Sequence, residues 1–142
     1  MLQQLIVSFL ASACFGILFS IPKRFLLPSG VVGMMGWGLY SWLSAMGMTM
    51  IPATLLAAFL VTSFSLLFAR LYKAPVTIFS ASGIVPLVPG GLAYDAMRYF
   101  VENDYNLAVQ FSAKAFMISG AIAMGLILAE VLYQIGKRQT RR

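Results

Sequence analysis

The chain has 142 residues, 61% of them hydrophobic and 10% charged, with a mean hydropathy of +0.89 and a net charge of +6. A soluble domain is about 45–50% apolar and about 25% charged, so this composition describes an integral membrane protein. Histidine is absent and the single cysteine, Cys14, lies inside an apolar run, which excludes an internal disulfide and any zinc or haem ligand set.

The basic excess does not describe a nucleic-acid partner. Lys and Arg fall at the ends of apolar segments, where they set membrane orientation, and form no continuous binding face. Ala11-Ser12-Ala13-Cys14 has the outline of a lipoprotein cleavage site. No Lys or Arg precedes it, however, and the apolar run continues through Ile17, Leu18 and Phe19. A cleaved signal needs a basic start and ends near its cleavage site, so Cys14 is read as a residue of the first span.

A helical span takes roughly 20 apolar residues. In chain order the pattern predicts spans over about residues 2–21, 29–48, 52–69, 75–101 and 106–133, with a basic tail over 136–142. The first stops at Pro22-Lys23-Arg24. The second is rich in glycine (Gly30, Gly33, Gly36, Gly38, Gly47). The third opens with Thr49 as a cap and Pro52 near its first turn, where a missing N–H costs nothing.

The fourth segment is broken by Gly83-Ile84-Val85-Pro86-Leu87-Val88-Pro89-Gly90-Gly91. Proline removes a backbone donor and glycine weakens a helix. A break inside a bilayer survives only where protein or a water-filled cavity surrounds it. Two arrangements compete, a crossing made of two half-helices and a re-entrant loop. Charge favours the crossing. With five spans one side carries Lys23, Arg24, Arg70, Lys73, Lys137, Arg138, Arg141 and Arg142, eight of the ten basic residues, while Asp95, Arg98, Glu102 and Asp104 fall opposite. The expected fold is therefore all-α, with five transmembrane helices, the fourth discontinuous. The N-terminus is expected outside and the C-terminus in the cytoplasm.

Broken spans are where transporters place substrates, and many pair two repeats of opposite orientation. A five-span unit with so strong a charge bias implies that its inverted half is a different polypeptide. The second half-helix, starting near Gly91, offers free N–H groups and the positive end of its dipole to a carboxylate. Carbonyls around residues 85–88 suit an ammonium or hydroxyl. The candidate site is Gly83, Pro86, Pro89, Gly90, Gly91, Tyr94 and Asp95. The plainer alternative is a packed kink, with Asp95 complementing the dipole and pairing with Arg98 at i+3. Lys114, an ionisable group inside the last span, is a second candidate by default; helical spacing puts it with Gln110, Ala121 and Gly125. Its long stem also permits snorkelling to the interface. Small residues at four-residue spacing (Ala115, Ser119, Ala123; Ala121, Gly125, Ala129) permit close helix packing. Trp37 and Trp42 fall within the second span and are read as packing residues. Glu130 is read as an interfacial charge.

Ile21-Pro22-Lys23-Arg24, the Gly-rich second span and Ala74-Pro75-Val76-Thr77-Ile78-Phe79 leading into Ile84-Val85-Pro86-Leu87-Val88-Pro89-Gly90-Gly91-Leu92-Ala93-Tyr94 together resemble the threonine/serine exporter (ThrE) family. The likeness is to the small subunit of its split form, the YjjB type, and covers nearly the whole chain. It implies a bacterial inner-membrane exporter half working with a larger ThrE/YjjP-like subunit. The implied substrates are small and carboxylate-bearing, either threonine and serine or dicarboxylates such as succinate. No cofactor is implied. The competing class is a non-transporting membrane scaffold or assembly protein for a partner. An intramembrane enzyme is excluded by the absence of histidine and of paired acids, which removes the means of acid–base or metal chemistry.

Overall fold

Four tight turns, each holding one residue at positive φ, divide the chain: Ser20 (56°), Gly47 (86°), Lys73 (50°) and Asn103 (62°). In the computed structural model, which describes residues 2–139, these turns and a break at 85–89 separate six α-helices: α1 (Leu2–Leu18), α2 (Lys23–Ala45), α3 (Met50–Tyr72), α4 (Val76–Ile84), α5 (Gly90–Val101) and α6 (Tyr105–Gln139). Among the described residues there is no strand.

Two boundaries differ most from the sequence expectation. Helix α2 starts at Lys23 and carries Pro28 inside it. Proline ordinarily breaks a helix interior, but Pro28 is only the sixth residue here. The carbonyl it leaves free is that of Arg24 in the first turn, at a polar end of the bundle. Helix α6 runs on to Gln139, so its 35 residues extend about 52 Å at 1.5 Å per residue. That exceeds a hydrocarbon core of about 30 Å. Thr49 does stand at the N-cap of α3, but its side chain makes no capping bond.

Helices α3 and α6 are long and apolar enough to cross a membrane, and α4 and α5 together form a third candidate if the bent pair is one span. Helix α1 is apolar but has only 17 residues. Helix α2 has the length, but its glycines, serines and Pro28 dilute its hydropathy.

That dilution has a packing reason. Helix α2 is the central helix, and its glycines let neighbours approach closely. A Cβ at Gly30 would meet the Phe9 ring of α1 at 2.6 Å, and one at Gly36 would meet Val61 of α3 at 2.4 Å. At Gly33 a Cβ would collide with Ser12 of α1 and approach the carbonyl of Gly83 in α4 at 3.5 Å. Ser8 Oγ donates to the Gly33 carbonyl across 3.0 Å, tying α1 to α2 inside the bundle. The main core joins Val32, Ala57, Ala58, Val61, Leu87, Ile118 and Ile122, with contributions from α2, α3, α6 and the break.

A second cluster marks one end of the bundle. Phe25 at the start of α2 meets Tyr72 at the end of α3 and Phe79 at the start of α4, edge-on, at 5.9 and 5.7 Å. The Arg70 guanidinium lies 5.3 Å from the Tyr133 ring near the end of α6. This end therefore gathers Lys23, Arg24, Arg70, Lys73, Lys137 and Arg138, while Arg98, Glu102 and Asp104 sit around the α5–α6 turn. Arg141 and Arg142 of the expected basic tail lie outside the described residues. Helix α5 packs chiefly on α6, with Tyr99 stacked on Phe111 at 5.3 Å, while Leu92 near its start reaches the main core.

Candidate functional site

The backbone between α4 and α5 follows from its two prolines. Neither Pro86 nor Pro89 has an N–H to continue a helical ladder. Val88, before Pro89, takes the extended geometry a proline favours in its predecessor, while Val85, before Pro86, stays helical (φ −47°, ψ −44°). After α4 ends at Ile84 the chain makes one 3-10 turn, Val85–Leu87, then extends at Val88 (φ −64°, ψ 130°) and restarts as α5 at Gly90. The two helices meet at 51°.

The hydrogen bonds across this break leave a remainder. Val88 N–H donates to Val85 O (3.2 Å), Gly90 N–H to Val88 O (2.8 Å) and Ala93 N–H to Pro89 O (3.1 Å). Among the described residues, the carbonyls of Pro86 and Leu87 and the N–H groups of Gly91 and Leu92 have no partner. All four belong to residues lining one recess of about 190 Å³, closed by Trp37 and Tyr40 of α2, Met50 and Thr54 of α3 and Ile118 of α6. The lining residues thus carry two unpaired donors at the positive end of a helix dipole and two unpaired carbonyl acceptors.

A second recess of about 300 Å³ lies toward α1, lined by Gln3, Gln4, Val7, Ser8 and Ala11. Trp37 and Pro86 line both recesses. The Trp37 ring lies 5.2 Å from that of Tyr40, and its indole nitrogen is shielded from solvent with no acceptor. A buried donor left unpaired costs about 1–3 kcal/mol, so its presence calls for a reason.

The expected site residues separate in space. Pro86, Pro89 and Gly91 line the recess at the break. Gly83 lies behind it in the helix packing, where a Cβ would meet Val32 at 2.6 Å. Gly90 borders the break with open space around it. Tyr94 is exposed and Asp95 half-buried, one turn further along α5 and outside the lining. Asp95 does not pair with Arg98, whose Nε instead donates to Glu102 Oε1 at 3.0 Å. Lys114 is exposed, its ammonium 5.5 Å from the ring of Phe111 one turn back. Of the face expected to carry Lys114, Ala121 is buried and Gly125 abuts α3, while Gln110 is exposed. Reading the sequence missed Trp37, Tyr40, Thr54 and Ile118. The one available signal was a tryptophan in mid-span, away from the interfaces such residues favour.

A family model described as Threonine/Serine exporter, ThrE, matches residues 4–132. The chain belongs to the threonine/serine exporter family. That is a family of transporters, which fits a break with free polar groups inside an apolar bundle better than it fits reaction chemistry. No solved structure matches this exporter-family chain.

Proposed function

We propose that this chain is the small subunit of a split secondary exporter in a bacterial inner membrane, moving small carboxylate-bearing metabolites. In this reading the chain forms one domain crossing five times, N-terminus out and C-terminus cytoplasmic, with α4 and α5 as the halves of a discontinuous fourth span. The gathering of six basic residues at one end of the bundle supports that orientation. So does a bend of only 51° at the break, since a chain that turned back would reverse direction.

The observation that carries the functional reading is the set of four unpaired backbone groups, at Pro86, Leu87, Gly91 and Leu92, on a single recess. The N–H groups suit a substrate carboxylate, and the carbonyls suit an ammonium or hydroxyl. Threonine, serine and succinate all present a carboxylate. Gly83, Pro86, Pro89, Gly90 and Gly91 shape the break, with Tyr94 and Asp95 at its outer edge; Lys114 acts at the interface.

The missing half is a larger family subunit of inverted topology. Helix α5 supports this, because it packs chiefly on α6 and leaves Tyr94, Met97 and Val101 largely exposed. An assembly protein would explain the small-residue packing equally well, but it would have no use for the unpaired groups. The test is efflux of threonine, serine and succinate from cells with and without this gene and that of its larger partner. Equal efflux from both strains overturns the export reading.

A further inference from the structure

We propose that Trp37 is a movable partition in the substrate chamber, and that its indole N–H becomes a donor to the substrate carboxylate when the ring swings aside. This rests on the export reading above. Three observations lead to it. Trp37 and Pro86 alone are shared by the linings of the two recesses, so they form the wall between them. The recesses hold about 190 and 300 Å³, the smaller below and the larger at the foot of the range of about 300–1,000 Å³ usual for ligand cavities. Joined, they fall inside it. Finally, the indole nitrogen is buried with no acceptor, so no hydrogen bond holds the ring in its present position.

The chemistry of the joined chamber points to an anion. Neither lining contains a charged side chain. Its donors include the N–H groups of Gly91 and Leu92, the indole N–H, the Tyr40 hydroxyl and the amides of Gln3 and Gln4. With no acid in either lining, a carboxylate meets these donors and a helix dipole with no opposing full charge, while the free carbonyls of Pro86 and Leu87 suit the ammonium or hydroxyl that threonine and serine also carry. Pro86 is the fixed half of the wall, because its ring belongs to the backbone turn. Trp37 projects from a continuous helix, so a side-chain rotation opens the passage without disturbing α2.

The test uses this chain purified with its larger partner and reconstituted in liposomes. Counterflow of labelled threonine, serine and succinate is measured for the wild type and for Trp37→Phe, which keeps a ring and removes the donor. The expected result is an apparent affinity weakened about tenfold, the change that follows from losing one hydrogen bond to a charged group, with maximal rate preserved within about twofold. In a Trp42→Phe background Trp37 is the sole tryptophan of this chain, and the part of the complex's emission that disappears when Trp37→Phe is added is expected to shift saturably with substrate, with the half-saturation of transport. Unchanged affinity in Trp37→Phe, or constant emission during active transport, overturns the partition alone. Absence of counterflow by the wild-type pair overturns the export reading, and the partition with it.

Discussion

The carbonyl oxygen of Leu55 in α3 faces Gly125 of α6 so closely that a Cβ at position 125 would lie 2.6 Å from it, with the Phe59 nitrogen at 3.0 Å. Both neighbours are backbone and neither can rotate away. Gly125→Ala is therefore expected to force α3 and α6 apart, at the cost of about 1–3 kcal/mol typical of overpacking. Gly120, on the same helix, has nothing near its missing Cβ. Gly120→Ala should be neutral, or more stable by up to about 1 kcal/mol through helix propensity. Thermal unfolding of the detergent-solubilised protein, followed by circular dichroism, checks both.

Gly33 and Ser12 form a similar contact between α1 and α2, but here the obstacle is a side chain. A Cβ at Gly33 would overlap Ser12 Oγ and lie 2.7 Å from Ser12 Cβ. Gly33→Ala should destabilise by about 1–3 kcal/mol, and Ser12→Gly in the same chain should recover most of the loss. Two additive destabilisations in that double mutant would show that the contact is not the cause.

The helices and the break were legible in the sequence for local reasons. Pro86 and Pro89 cannot continue a helix wherever they stand, so the interruption at 85–89 needed no tertiary knowledge. The start of α2 was less legible, because Pro28 stands within the helix's first two turns, where a proline's force as a breaker is weaker. The site was only half legible. The backbone groups of the break follow from its residue types, but Trp37, Tyr40, Thr54 and Ile118 reach it from three other helices. Nothing in their local sequence announces that meeting. The spacing that placed Lys114 with Ala121 and Gly125 was correct as geometry; it could not show that α3 shields only the later part of that stripe.

Helix α5 is held chiefly by α6, and the stacked pair Tyr99–Phe111 is one of two ring contacts between them, with Phe100–Tyr105. Aromatic pairs contribute about 0.5–1.5 kcal/mol beyond the area they bury. Phe111→Ala is expected to loosen α5 while leaving the α2–α3–α4 core intact. Hydrogen exchange should then accelerate over 90–101 and stay unchanged over α3; uniform acceleration would mean that α5 is part of the core.

Lys114 is exposed, with its ammonium directed back toward Phe111, the posture of a lysine reaching an interface. Lys114→Met should therefore leave the substrate dependence of efflux unaltered. A weakened affinity for succinate relative to serine would instead put the ammonium in the pathway, since a dicarboxylate carries the greater negative charge.

The break as the export site is tested most directly at Gly91. It lines the recess at the start of α5, and a Cβ there would meet nothing within 4 Å. The measurement is efflux of threonine, serine and succinate from cells expressing this chain as Gly91→Leu with the proposed larger subunit, with the purified complex quantified alongside. The account predicts efflux at the level of cells lacking the pair, from a complex recovered in wild-type amount. Wild-type efflux from that intact complex would contradict it.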